Sequence, residues 1–221
     1  MARRGNLRLT DITPLTPAQR AVITGYDQGF HLATYGSAGT GKSFLATYLG
    51  LRDVFNPRST PDRLILVRSA VPTRDLGFLK GTLEEKLSVY EAPYVSLVDE
   101  LLAQPGAYAQ LYDDGVIEFV STSFVRSLTW NNAVVFLDEA QNMTFHELNS
   151  VVTRLGSNSR LIVSGDMVQD DLGRGQSGLQ TFLRVASRIS EFRLISFGRD
   201  DIVLSSFVRD WIVACAEEHV F

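Results

Sequence analysis

The segment Gly36-Ser37-Ala38-Gly39-Thr40-Gly41-Lys42-Ser43 matches the pattern G-x-x-x-x-G-K-[ST] in full. Its flanks make it the strongest constraint on the fold. Residues 30–35 before it are mostly apolar and read as a buried strand, and residues 42–54 after it read as a helix with Leu45, Tyr48 and Leu49 on one face, stopped by Asn56-Pro57. A strand, a glycine-rich turn and a helix make half of a crossover unit, which needs parallel neighbours to complete it.

The rest of the chain supplies them. Further strands are predicted over 63–68, 116–120, 133–137, 161–164 and 192–196. Helices are predicted over 82–102 (interrupted at Pro93), from Thr144 onward, over 178–189 and over 201–218. Thr16-Pro17 opens the first helix, with threonine as its cap and proline at its first position. The last helix would carry Phe207, Trp211 and Cys215 on one face, with Val208 and Ile212 beside it. Strands alternating with helices predict a mostly parallel sheet with helices on both faces, an α/β RecA-like P-loop NTPase core. Residues 1–14, which open on Met1-Ala2-Arg3-Arg4-Gly5, read as a short frayed arm, and residues 15–221 as a single domain.

Composition narrows the setting. A hydrophobic fraction of 45% supports a packed core and argues against extensive disorder. The lone cysteine, Cys215, cannot form an intrachain disulfide, and His31, His146 and His219 lack zinc-like spacing. No apolar run has the length of a membrane helix, and no apolar segment follows the basic N-terminus to make a secretory signal. Membrane partners are therefore not expected, and a cytoplasmic location is. The net charge of -4 means that any contact with nucleic acid must use a local basic surface.

In parallel sheets of this kind ligands sit beyond the carboxyl ends of the strands, and the chemical motifs fall there. Backbone N–H groups of Gly36, Ser37, Ala38, Gly39, Thr40 and Gly41 would wrap the phosphates of ATP, aided by the dipole of the following helix. Lys42 would reach the β and γ phosphates, and Ser43 would offer its hydroxyl to Mg²⁺. The apolar run Val134-Val135-Phe136-Leu137 ends in Asp138-Glu139. Asp138 is placed to hold Mg²⁺ and Glu139 to act as general base toward water. Gln169, after the strand ending at Gly165, could touch both the attacking water and the γ-phosphate. Gln19 has two readings: with Thr16 it completes a capping box, or its amide reads the adenine edge.

These residues resemble the PhoH family, particularly its short phage versions. The resemblance covers roughly residues 15–214 and is carried by 36–43, Leu76-Gly77-Phe78-Leu79, Asp138-Glu139-Ala140-Gln141-Asn142, Thr153-Arg154-Leu155-Gly156 and Gly165-Asp166 with Gln169. It implies ATP binding and hydrolysis, action on RNA, and assembly into rings; it also favours adenine reading by Gln19, by similarity to superfamily-one helicases. For a phage-encoded member the location would be the host cytoplasm. Two departures stand out. The family usually has arginine after Asp-[Ile/Val]-Val, where this chain has Leu204 after Asp201-Ile202-Val203, and it often has two arginines where this chain has Arg126 and Leu128.

One P-loop domain leaves one side of the γ-phosphate unfaced. An arginine supplied across a contact between subunits would fill that side, and such fingers are worth about 10³–10⁵ in rate. Arg154 is the first candidate, followed by Arg199 and Arg209. A homo-oligomer, most simply a hexameric ring, would bring it. Arg74 and Lys80 in 69–81, and Arg126 with Phe124 and Trp130 in 122–130, are candidates to contact single-stranded RNA or DNA. The bland alternative places Phe78 and Phe124 in the core. Two other functions compete: a nucleotide-dependent switch that binds a protein partner without nucleic acid, and a small-molecule kinase, which the Asp138-Glu139 pair disfavours.

Overall fold

The computed structural model describes residues 3–69, 83–166 and 177–218. Its centre is a six-stranded, wholly parallel sheet. A two-stranded hairpin precedes it, β1 (Arg3–Arg4) and β2 (Leu7–Arg8), turned at Gly5 with a positive φ. Residues 3–9 are thus built into the fold rather than frayed. Leu7 and Leu9 are buried, and the Thr10 N–H donates to Leu101 O, so the hairpin lines the core.

Helix α1 (Pro17–Asp27) follows, capped by the Thr16 hydroxyl, which accepts from Gln19 N–H. Then come β3 (His31–Gly36), α2 (Lys42–Val54), β4 (Arg63–Arg68), α3 (Leu83–Leu101), α4 (Ala107–Asp113) and β5 (Ile117–Ser121). A 3₁₀ turn (Thr122–Ser127) leads to β6 (Ala133–Asp138), α5 (Phe145–Val152), β7 (Arg160–Gly165), α6 (Leu179–Ala186), β8 (Phe192–Phe197) and α7 (Ser206–Glu217). Strand boundaries lie within one residue of those read from the sequence. Helix α4 is additional to the sequence reading, and α7 begins five residues later than expected because a short 3₁₀ turn (Arg199–Asp201) precedes it.

The sheet order is β5-β4-β6-β7-β3-β8. The strand before the glycine loop, β3, and the strand ending in Asp138, β6, are separated by β7. That spacing leaves a crevice above the end of β7 into which both neighbours project their terminal residues.

Strand alternation feeds two cores. Leu64, Leu66, Val134, Phe136 and Ile162 join a cluster with α1, α2, α3 and α4. Ile65, Val67, Val135, Leu137, Leu161 and Val163 join a second cluster with α5 and α6. Being covered on both faces explains why these strands are continuously apolar rather than alternating with polar residues. Helix α7 belongs to neither cluster and has no buried residue. Among the described residues no helix is long and apolar enough to cross a membrane.

Candidate functional site

At the carboxyl end of the sheet lies a cavity of about 200 Å³ lined by residues of the glycine loop, Asp138, Glu139, Gln141, Gly165 and Asp166. Gly36, Gly39 and Gly41 have φ of 117°, 71° and 79°, so the loop takes a path most side chains disfavour. Helix α2 starts from Gly41 with no side-chain cap. Its first N–H groups are therefore not claimed by a capping side chain, the arrangement that binds anions at helix N-termini.

Lys42 Nζ donates to Gly36 O at 3.0 Å and Ser37 O at 2.6 Å, folding over the loop it follows. Burial lowers its pKa, opposed by the nearby carboxylates of Asp166, Asp138 and Glu139. Phosphate oxygens at the same place would replace the carbonyls as acceptors.

Across the cavity, Ser43 Oγ donates to Asp138 Oδ1 at 3.0 Å, and Glu139 N–H donates to the same oxygen at 3.0 Å. Tyr94 of α3 donates its hydroxyl to Asp138 Oδ2 at 2.9 Å. Burial pushes the Asp138 carboxyl up to about 6, and Glu139 adds to this, while hydrogen bonds from Tyr94 and Ser43 and the charge of Arg68 pull the other way. Arg68 ends β4 in register with Asp138, and its guanidinium lies over the Tyr90 ring, 5.8 Å from the centroid.

Glu139 has φ 53° and ψ 43°, an uncommon backbone state for a non-glycine residue and one that clusters at functional sites. Gln141 Nε2 donates to Glu139 Oε2, and Gln141 Oε1 accepts from Asp166 N–H at 2.9 Å. One buried amide thus joins the end of β6 to the end of β7.

The donor set suits a hard divalent ion. A serine hydroxyl and a carboxylate share one hydrogen bond, and Mg²⁺ takes oxygen ligands, one or two from protein and the rest from water and phosphate. Charge balance points the same way: among the described residues the carboxylates of Asp166, Asp138 and Glu139 outnumber the cations of Lys42 and Arg68 that act on them. Among the described residues no group of three or more His, Cys, Asp and Glu forms a cage that would hold an ion without phosphate.

Gln19 is buried at the outer rim. Its Nε2 donates to Thr40 O at 3.0 Å and its Oε1 accepts from Leu15 N–H at 2.7 Å. Only the threonine half of the expected capping box forms, because the amide reaches the N–H one residue before the cap.

Other candidates lie apart. Arg154 sits at the amino ends of the strands: its carbonyl accepts from Trp130 N–H three residues before β6, so it is at the end of the sheet opposite the cavity. Its buried Nε has no hydrogen-bond partner among the described residues. Arg199 pairs with Glu217 at 3.1 Å, and Arg209 lies 3.8 Å from Asp210. Phe124 is 52% exposed in the turn after β5, so it is a surface residue and not a core one. Trp130 is buried in the second core, where the indole serves packing. Arg126 lies in the same turn as Phe124. Gln169, Arg74, Lys80 and Phe78 lie outside the described residues.

Tyr94, Arg68, Gln141 and Asp166 have no role on sequence grounds alone. Gln141 and Asp166 stand inside motifs that carry the resemblance, and that membership was the available signal. Tyr94 is 44 residues from its partner and carried none.

Residues 11–216 match the family model described as PhoH-like protein. A PhoH-like protein of Synechocystis is 38% identical over 209 residues, covering 94% of this chain and 62% of that protein. A PhoH-like protein of Mycobacterium leprae is 34% identical over 220 residues, covering 98% and 61% respectively. Protein PhoH of Escherichia coli K12 is 36% identical over 174 residues, covering 77% and 49%. The chain thus spans about half to three fifths of the length of these relatives. Among solved structures, the large terminase of a thermophilic bacteriophage in complex with ADP superposes with a TM-score of 0.55 at 12% identity, covering 90% of this chain and 49% of that one. At that identity the likeness shows the RecA-like P-loop fold alone.

Proposed function

The chain belongs to the PhoH-like protein family, and from that footing we propose that it binds ATP with Mg²⁺, hydrolyses it, and uses the cycle to move or remodel single-stranded RNA or DNA as a ring. The observation that carries hydrolysis is the joining of Ser43 to Asp138 at 3.0 Å beside Glu139, across the cavity from Lys42. Bound there, Mg²⁺ would neutralise phosphate charge and orient the γ-phosphate. The chain's own part is to supply the loop N–H groups and Lys42 to the phosphates, and to hold Ser43 and Asp138 at the ion. Glu139, oriented by Gln141, would take a proton from water in line with the γ-phosphorus. Gln169 would contact that water as well, and Gln19 would read adenine once the base displaces one of its present hydrogen bonds.

Among the described residues no arginine lines the cavity. A finger from a second copy answers that, and the position of Arg154 at the opposite end of the sheet suits a head-to-tail contact, which closes into a ring when the rotation allows. The number six rests on family resemblance. Exposed Phe124, with Arg126 in the same turn and Arg74 and Lys80 in 69–81, would contact the single strand through stacking and phosphate charge.

ATP turnover measured with and without single-stranded RNA, on sized fractions, is the direct test. Stimulation by RNA in an oligomeric fraction is expected; turnover confined to a monomer peak would end the ring reading. Mixing Lys42→Ala with Arg154→Ala, each inactive alone, should restore part of the activity by pairing an intact loop with an intact arginine. The second reading, a nucleotide-dependent switch for a protein partner, is favoured by the exposed Phe207 and Trp211 on α7. Turnover indifferent to RNA of any sequence would select it.

A further inference from the structure

Tyr94 is sunk in the first core rather than on the site surface. Its ring lies between Phe119 of β5, at 5.9 Å between centroids, and Phe136 of β6, edge-on at 6.4 Å. Pro93 precedes it inside α3, which runs on through it rather than breaking there; having no N–H, the proline leaves one rung of the helix ladder unmade. The aromatic neighbours fix the ring, and the ring fixes where the hydroxyl stands.

That hydroxyl meets Asp138 Oδ2, while Ser43 and the Glu139 N–H both meet Oδ1. A carboxylate accepts at about four lone-pair sites. Among the described residues, protein donors take three of them, two on one oxygen and one on the other. The carboxylate torsion of an aspartate is otherwise broad and roughly two-fold, and donors on both oxygens hold it more firmly than donors on Oδ1 alone. The tyrosine supplies the restraint on the second oxygen.

We propose that Tyr94 is a positioning residue for the Mg²⁺ site: its hydroxyl holds the plane of the Asp138 carboxylate so that one lone pair of Oδ2 is aimed at the ion's water shell. The inference rests on the nucleotide reading above, but its test does not depend on turnover. A buried tyrosine needs a partner for its hydroxyl in any case. The alternative is therefore that Asp138 merely satisfies Tyr94, and the two differ in what happens to metal dependence when the hydroxyl is removed.

The test is Tyr94→Phe, which keeps the ring, with ATPγS affinity titrated in EDTA and then against rising Mg²⁺. Affinity in EDTA should stay within about twofold of the parent, which also reports that the loop is folded. The Mg²⁺ concentration giving half of the tightening should rise about three- to tenfold, the range that one net hydrogen bond corresponds to. Phe119→Leu, which loosens the same packing and leaves the hydroxyl bond, should lower the thermal midpoint without moving the Mg²⁺ midpoint. Tyr94→Leu removes ring and hydroxyl together and should shift the Mg²⁺ midpoint at least as far as Tyr94→Phe. An unmoved midpoint in Tyr94→Phe, or an equal shift in Phe119→Leu, overturns the proposal. A parent that binds ATPγS with no response to Mg²⁺ also overturns it. A parent that shows the Mg²⁺ response yet never hydrolyses ATP would refute the hydrolytic reading and leave the role of Tyr94 standing.

Discussion

On its inner rim the cavity is bounded by Ser43, Asp138, Glu139 and Gln141, tied to one another and to Tyr94 by hydrogen bonds of side chains. On its outer rim the glycine loop meets the C-terminal segment through apolar contact. A Cβ placed on Gly39 would come within 2.5 Å of Leu204 Cδ1 and 3.5 Å of Ile212 Cδ1, and one backbone bond, Val203 N–H to Gly39 O at 3.0 Å, joins the two. Asp138 is 6% exposed and Gln141 3%, whereas Leu204 is 47%, Trp211 63% and Phe207 75% exposed. The inner rim is thus costly to disturb and carries the charge, and the outer rim is cheap to disturb and carries shape. Changes on the inner rim should alter chemistry, and those on the outer rim should alter binding or assembly.

The largest effect is expected at Glu139. Glu139→Gln keeps the shape and removes the proposed base, so turnover should fall by about 10²–10⁴. ATP affinity should hold. Single-turnover and equilibrium binding measurements separate the two. Turnover at the parent rate would remove the base from the inner rim and weaken the contrast.

Asp138 gives a pH effect of opposite sign to the usual acid. Its carboxyl is raised to about 6 from an ordinary value of 3.8. Between those values the folded state holds a proton that the unfolded state has lost, so the contribution of this group to stability is full below about pH 4 and is lost as pH rises through about 6. In metal-free buffer, the stability of the parent relative to Asp138→Asn should therefore fall from about pH 4 to about pH 7, as read by denaturant midpoints. A difference that stays flat over that range would mean the carboxylate is better solvated than its burial implies.

Gln19 ties the outer rim to the segment before α1, because its amide donates to the carbonyl of Thr40 in the loop and accepts from the N–H of Leu15. Gln19→Ala leaves that buried carbonyl unpaired, a loss of about 1–3 kcal/mol. Stability should drop by that order, and KM for ATP should rise more than kcat falls. Preference for ATP over GTP should narrow if the amide reads the base. An unchanged preference would restrict Gln19 to tethering the loop.

The same contrast explains what could be read from the chain. The strands at 63–68 and 133–138 were legible because fully buried strands are continuous apolar runs bounded by polar ends. The glycine loop and the Asp138-Glu139 pair were legible because each is a short local pattern at the end of an apolar strand, and the fold brings the two to one cavity. Helix α4 has only seven residues, too few for a helical period to declare itself. Tyr94 could not be found, since its contact with Asp138 depends on how α3 lies over β5 and β6, which no local pattern encodes. The apolar face of α7 was read from its spacing, but spacing tells which residues share a face and not what covers them. Phe207 and Trp211 prove to be on the surface.

That face yields the smallest expected effect and the sharpest test of the outer rim. Within one subunit Phe207 and Trp211 make little buried contact, so Phe207→Ser with Trp211→Ser should change subunit stability by about 0.5 kcal/mol or less. Leu204 and Ile212 still pack on Gly39 in this variant, so nucleotide affinity should also hold. An assembled state that covers the face would respond differently, because removing two large aromatic side chains from a contact costs far more than removing them from water. Light scattering over a concentration series reads that difference directly. A shift of the assembled fraction toward monomer, with the thermal midpoint of the monomer unmoved, places the outer rim in a subunit contact beside the glycine loop. A lowered monomer midpoint with assembly intact would show instead that α7 is held by its own subunit more firmly than its exposure suggests, and the two rims would then differ less than their burial indicates.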